Sequence, residues 1–104
     1  MARYDVYANP DISERKLIPY LLDVQNDYIN GLQTRVVVPL WDASKLSTPA
    51  MDLNPEFEVA GRSVVMDSPA LGAVPLTALK TVVTNLNSQQ LTIQNALDAL
   101  FGSY

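Results

Sequence analysis

The 104 residues include no cysteine and no histidine. Without cysteine, neither a disulfide framework nor a thiolate metal site can form. Without histidine, the chain lacks the commonest acid–base group near neutral pH and the usual zinc ligand. A hydrolase built on this chain would depend on carboxylate pairs or on arginine, lysine and threonine side chains. These absences favour a protein that acts by binding and is not an enzyme.

Positive charge is also scarce. Seven lysines and arginines stand against eleven carboxylates, and the net charge is −4. Proteins that bind nucleic acids through phosphates need clustered cations, whereas these seven are spread thinly among acids. We therefore expect no direct contact with nucleic acid. We also expect no metal, because cysteine and histidine are missing, and no cofactor.

Long apolar runs are missing as well. The longest, Val36 to Trp41, is interrupted by Pro39 and is far too short to span a bilayer. At the N-terminus a charge follows at once at Arg3, and no signal-peptide stretch is seen. The sequence predicts a soluble, cytoplasmic protein with no membrane contact, formed by a single domain over residues 1–104.

The first two thirds of the chain contain short apolar runs separated by turn signals, which is typical of β-strands. Val36 to Val38 indicate a strand that is covered on both faces, and Trp41 after it is expected in the core. At the start, Tyr4 and Val6 are expected on the inner side. After the strand at the start, the predicted strands cover residues 18–24, 34–40, 57–60, 63–66 and 73–79. Polar loops are predicted at 9–16 and 42–54.

The last twenty residues predict one amphipathic helix over about 88–101. Asn87 and Gln90 match a capping box, and Gly102 stands where helices commonly end. One apolar stripe follows at helical spacing: Ile93, Leu97, Leu100 and Phe101. The fold class is mainly β with a C-terminal α-helix, the small β-barrel occupying about residues 1–80.

Carboxylate pairs are the remaining catalytic candidates. Asp23 and Asp27 are four residues apart, as are Asp52 and Glu56. Both pairs fall in strand ends or loops, where solvated acids are the usual case. Glu56 and Glu58 alternate along one strand, which indicates its wet face. We therefore expect these acids to be exposed and without a catalytic role.

Two segments favour contact with a protein partner. From Asn85 to Tyr104 the only charged side chain is Asp98, and an amide-rich helix face is easily desolvated against a partner. An ordinary capping helix with a frayed end is the alternative. Tyr28 and Ile29 lie in a polar turn region and are candidates for exposed apolar contact.

Several short segments also follow a known order along the chain. A D-V-Q-x-D segment at 23–27 precedes R-x-V-x-P-L at 35–40, and further matches lie at 4–7, 73–76, 91–97 and the Phe-Gly ending. Together they resemble the CcdB family of plasmid and chromosomal toxins. The resemblance implies an SH3-like barrel with a C-terminal helix, assembled as a two-fold homodimer.

The resemblance further implies a toxin that binds the A subunit of DNA gyrase and traps the cleaved-DNA complex, with a CcdA-type antitoxin as its inhibitor. Family gyrase contacts are carried over to Gly102, Ser103, Tyr104, Asp98, Asn95, Asn26, Tyr28 and Ile29. The familiar Trp-Gly-Ile ending is replaced here by Gly-Ser-Tyr. Antitoxin contacts are expected around loop 9–16 and the outer side of the helix, without individual residues.

Two other functions remain open from the sequence. The first is an mRNA-cleaving endoribonuclease of the MazF type, which shares the barrel fold and would use Arg15 or Arg35. The second is a gyrase-inactive relative that is kept for antitoxin binding, a hypothesis motivated by the altered ending.

Overall fold

Seven strands and one α-helix form the described part of the chain. A computed structural model describes residues 2–29, 31–46, 50 and 52–102. In chain order the elements are β1 (Asp5–Ala8), β2 (Tyr20–Asp23), β3 (Thr34–Asp42), β4 (Glu56–Val59), β5 (Arg62–Met66), β6 (Gly72–Pro75), β7 (Val82–Asn85) and α1 (Gln90–Phe101). A mainly β domain with a C-terminal helix, consistent with a small SH3-like barrel, is thus confirmed.

The strands form one antiparallel sheet in the order β4-β5-β3-β2-β1-β7, and β6 pairs with β3 beside β5. β3 is central because it is paired along both edges. β2 pairs with one edge, whereas β6 and β5 share the other: β6 pairs with the first half of β3 and β5 with its last three residues. Pro39 was expected at the end or edge of this strand, but β3 continues to Asp42. The proline is tolerated because its nitrogen, which has no hydrogen to donate, faces the gap between β5 and β6, where no described strand residue is in register with it. Its carbonyl on the same side accepts a hydrogen bond from Asp67 N.

The sheet is covered on both faces. The larger core contains residues from β1 to β5 and from α1, including Val6, Leu22, Val38 and Ile93, each 0% exposed. On the other face, Tyr7, Val37 and Leu79 form a smaller cluster. The prediction that β3 is covered on both faces is confirmed. Tyr7, which alternates with Tyr4 and Val6 and would face solvent in a half-buried strand, is instead covered by this second cluster and is 1% exposed.

A two-residue turn connects β4 and β5. Val59 pairs with Arg62, and the two residues between them, Ala60 and Gly61, have φ of 52° and 78°. Positive φ at both central positions is the geometry that suits a tight hairpin. The predicted pair of strands about Gly61 is therefore confirmed, as are the exposed side chains of Glu56 and Glu58.

Other boundaries differ from the prediction. β7 was not predicted, and the sheet extends past residue 80 because residues 82–85 pair with β1. The capping box is wrong, since a 3₁₀ turn at Asn87–Gln89 precedes α1 and neither start has a side-chain cap bond. Instead, Asn85 Oδ1 accepts a hydrogen bond from Asn87 N at 2.7 Å. Gly102 does end the helix, with φ of 73°.

Two aromatic residues lie nearer the surface than expected. Trp41 is only half-buried, and its Nε1 donates to Asp67 Oδ2 at 3.0 Å. Phe101 was placed on the buried stripe of the helix but is 70% exposed. The stripe is centred instead on Ile93 and Ala96, which are 0% and 2% exposed.

None of the helices in the described residues has the length and apolarity that a bilayer crossing requires.

Candidate partner-binding surface

A buried ion pair stands behind the loop that follows β2. Arg35 donates from Nε to Asp23 Oδ2 at 2.8 Å and from Nη2 to Asp23 Oδ1 at 2.9 Å. The Asp23 side chain is 0% exposed and that of Arg35 is 7% exposed. The expectation that Asp23 is a solvated loop acid is therefore wrong. Asp27 is an exposed acid as expected, although Arg35 also reaches its Oδ1 at 3.4 Å.

Gln25 adds two further bonds to the same loop. Its Oε1 accepts from Val36 N at 3.0 Å, and its Nε2 donates to Ile29 O at 3.1 Å. The two segments that carry the family resemblance, 23–27 and 35–40, are thus joined side by side. Their polar residues shape the loop over residues 24–29.

This loop presents two apolar side chains to solvent. Tyr28 is 94% exposed and Ile29 is 50% exposed. Asn26 makes the turn that carries them: its Oδ1 accepts from Tyr28 N at 2.9 Å, and its carbonyl accepts from Ile29 N at 3.0 Å. An apolar pair held on an anchored turn is well prepared for burial against a partner.

Arg3 and Tyr4 connect this loop to the helix. Arg3 N donates to Asp27 Oδ1 at 2.8 Å, and Arg3 Nε donates to Val24 O at 3.2 Å. The next residue, Tyr4, accepts a hydrogen bond on its hydroxyl from Gln94 Nε2 at 2.8 Å. Arg3 therefore holds the loop just before Tyr28, and Tyr4 holds the helix at Gln94, just before Asn95.

The exposed side of α1 completes the surface. Asn95, Asp98 and Gly102 are all exposed. Phe101 lies about 80° around the helix from the buried Ile93 and about 20° from Gln94, so it is on the side of the helix that carries Gln94. Ser103 and Tyr104 lie outside the described residues. The candidate surface, as named below, comprises Asn26, Tyr28, Ile29, Asn95, Asp98, Phe101 and Gly102.

The comparison with protein families agrees with this arrangement. The family model described as CcdB protein matches residues 3–102 of the chain. The chain belongs to the CcdB family. Membership in the CcdB family implies a toxin of a toxin–antitoxin system.

The sequence did not indicate that three residues, Phe101, Arg3 and Tyr4, form or support the candidate surface of this CcdB-family protein. Phe101 was counted as core because it follows Leu97 and Leu100 at helical spacing, although it lies at the edge of the buried stripe. Arg3 and Tyr4 act through contacts that are distant along the chain, such as Tyr4 with Gln94, and no local pattern indicates them. The available signal in the sequence was Phe101 itself, because an aromatic residue in the last turn of a helix is a candidate for contact with a partner.

Burial and charge also set the ionisation of this region. Burial, with help from Asp5 and Asp23, raises the pKa of Tyr7 to about 12. Hydrogen bonding to Asp23 raises the pKa of Arg35 above its already high value. Arg35 is therefore a permanent cation that balances the carboxylate of Asp23 beneath the loop.

The loop expected to contact an antitoxin carries exposed apolar residues of its own. Ile12 is 74% exposed, and Leu17 just beyond the loop is 46% exposed. The buried Asn9 anchors the loop through its Nδ2, which donates to Ile18 O at 2.8 Å. Arg15 Nε in turn donates to Asn9 O at 2.7 Å.

Proposed function

We propose that this protein is a gyrase-directed toxin. It binds the A subunit of DNA gyrase through the candidate surface and traps the complex in which DNA is cleaved. A cognate CcdA-type antitoxin neutralises it. The single observation that carries the proposal is the 94% exposure of Tyr28 on a loop anchored by a buried ion pair.

The proposed mechanism is differential binding. A ligand shifts a conformational cycle toward the state that it binds best, so a toxin that prefers the cleaved-DNA state makes that state persist. Tyr28, Ile29 and Phe101 supply exposed apolar area, and aromatic anchors often contribute most of the binding energy at interfaces. The toxin itself makes and breaks no bond.

The homodimer and the antitoxin contact belong to the same proposal. Two toxin protomers, related by a two-fold axis, would present two copies of the candidate surface to the paired A subunits of gyrase. The antitoxin would contact loop 9–16, where Ile12 supports an apolar contact through its 74% exposure. Binding there, or on the outer side of the helix, would compete with gyrase.

The endoribonuclease alternative receives less support. Of its two candidate arginines, Arg35 has a side chain only 7% exposed and is paired with Asp23. That leaves Arg15, whose Nε already binds the Asn9 carbonyl. A gyrase-inactive relative that only binds antitoxin would still need loop 9–16 but not Tyr28.

A cleavage assay tests the proposal. Gyrase, supercoiled DNA and ATP are incubated with the protein, and linear DNA is counted after denaturation. The wild-type protein should produce linear DNA, and Tyr28→Ala or Phe101→Ala should reduce it by about tenfold or more, as expected when an interface anchor is lost. Deleting Ser103 and Tyr104 should abolish it while the protein stays folded.

A matched pair of variants controls for surface truncation in general. Ile29 and Val82 are 50% and 52% exposed, but only Ile29 lies on the candidate surface. Ile29→Ala should weaken the effect and Val82→Ala should not. Equal loss in both would contradict the assignment of the surface, whereas rapid RNA cleavage that Arg15→Ala abolishes would replace the proposal with the endoribonuclease.

A further inference from the structure

The two outer strands of the sheet face one cleft. β4 and β7 stand at opposite ends of the strand order, and neither has a strand partner on its outer side among the described residues. Both nevertheless line the same cleft, which has a volume of about 380 Å³. The barrel is therefore open between β4 and β7, and the gap has two unpaired edges as its walls.

Unpaired backbone groups point into this gap. In the β4–β5 hairpin, Val59 and Arg62 flank the two-residue turn, and Met66 N donates to Pro55 O. Backbone groups alternate in direction along a strand, so those of Glu56 and Glu58 point away from β5. On the other wall, Leu86 N donates to Tyr4 O, and the backbone of Asn85 therefore points away from β1.

Side chains give the β4 wall a defined chemistry. Glu56 and Glu58 are exposed and lie on one face of the strand, whereas Phe57 between them is only 7% exposed. Within the described part of the chain, no lysine or arginine lines the cleft, whose lining residues are Glu56, Phe57, Glu58, Thr84, Asn85, Leu86, Ser88 and Gln89. The wall thus alternates carboxylate, apolar and carboxylate side chains.

We propose that the gap between β4 and β7 binds an extended, basic segment of a partner protein, which pairs with β4 as an additional antiparallel strand. Side chains of paired strands face their neighbours on the same side of the sheet. Lysine or arginine at alternate positions meets Glu56 and Glu58, and the apolar residue between them lies on the Phe57 side of the strand. A second copy of β4 does not fit, because like charges directly opposite one another repel.

This site is separate from the candidate surface. Ser88 and Gln89 line the cleft just before α1 begins, whereas Gly102 follows the end of the helix. Twelve helical residues span about 18 Å. Binding in the cleft therefore leaves the Phe101–Gly102 end of the candidate surface accessible, and gyrase binding and peptide binding can be measured independently.

Backbone-amide NMR of the purified protein tests this inference. The probe is a pentapeptide of alternating lysine and valine, blocked at both ends. It should shift the amide signals of Glu56 to Glu58 and of Thr84 to Leu86 in a saturable way. A glutamate–valine peptide should not bind, and neither should a lysine–valine peptide N-methylated at the amides that face β4, since main-chain pairing drives this type of recognition.

Variants sharpen the result. Glu56→Gln combined with Glu58→Gln should weaken the lysine–valine peptide about fivefold, in keeping with two cross-strand charge pairs. Asp52→Asn, at another exposed acid that does not line the cleft, should leave binding unchanged. The inference is overturned if millimolar peptide shifts no signal, if the shifts lie elsewhere, or if the N-methylated peptide binds equally well. DNA cleavage with gyrase should be unaffected by the double variant.

Discussion

Arg35 and Asp23 are joined by two parallel hydrogen bonds, of 2.8 and 2.9 Å, and both side chains are buried. Charged groups are costly to bury unless they are paired and hydrogen-bonded. Here Gln25 N also donates to Asp23 Oδ1 at 3.0 Å, so the carboxylate is well satisfied. The pair joins β2 to β3 and supports the loop that carries Tyr28.

Removing the arginine should be strongly destabilising. Arg35→Met leaves the Asp23 carboxylate buried without its counter-ion, which typically costs about 3–5 kcal/mol. Urea unfolding followed by circular dichroism measures the change. Arg62→Met is the matched control, because the Arg62–Asp42 pair is partly exposed, with side chains 38% and 21% accessible; it should cost less than about 1 kcal/mol. Similar losses in both variants would contradict the role of burial.

The hydroxyl of Tyr4 should contribute to the attachment of the helix. Tyr4→Phe removes the bond from Gln94 and should lower the free energy of unfolding by about 1 kcal/mol, the usual net value of one hydrogen bond. Tyr20→Phe serves as the control, since among the described residues the Tyr20 hydroxyl makes no hydrogen bond. Urea unfolding of both variants gives the comparison. If Tyr4→Phe is as stable as Tyr20→Phe, the bond to Gln94 contributes nothing measurable.

The turn between β4 and β5 offers a stabilising substitution. Ala60 adopts φ of 52°, a left-handed conformation that is unfavourable for residues other than glycine, asparagine and aspartate. Ala60→Asn should raise the free energy of unfolding by about 0.5–1 kcal/mol, measured by thermal or urea unfolding. Ala60→Val should lower it, because β-branched side chains tolerate this region poorly. The opposite order would show that the strain lies elsewhere.

Asp42 should titrate at unusually low pH. Ser44, through its hydroxyl and its backbone N–H, and then Arg62 lower the pKa of Asp42 from 3.8 to about 2. A carboxyl whose pKa is lower in the folded state stabilises the fold fully above about pH 4 and loses that contribution as the pH falls toward 2. Carboxyl ¹³C NMR titration measures the pKa. Ser44→Ala should move it upward, and an unchanged value would contradict the assigned cause.

Local sequence patterns predicted the elements whose signals are local. Val36 to Val38 gave a strand covered on both faces, Gly61 marked a hairpin, and Gly102 marked the end of the helix. Pro39 was wrongly expected at the end or edge of its strand. Its position opposite the gap between β5 and β6 depends on the order of the strands in the sheet, which the local sequence does not show. The burial of Tyr7 depends on Leu79, seventy-two residues away along the chain, and no local pattern contains that contact.

The candidate surface could be predicted only in part. Tyr28 and Ile29 were expected to be exposed because they interrupt a polar segment. Asp23 was expected in solvent because it falls at a strand end or in a loop, and its contact with Arg35, twelve residues later, explains its burial. Phe101 had the spacing of a core residue but lies at the edge of the buried stripe that is centred on Ile93 and Ala96, and it is 70% exposed. In each case the missing information was which distant segment lies beside the residue.

The position of β1 between β2 and β7 has a consequence for synthesis of the protein. Val6 is paired on one side with Leu22 and on the other with Thr84, and Ile93 fills the core beneath them. Pairings this distant along the chain close slowly. β1 therefore completes its pairing only after residues 82–85 have been synthesised, and this barrel closes late in the folding of the chain.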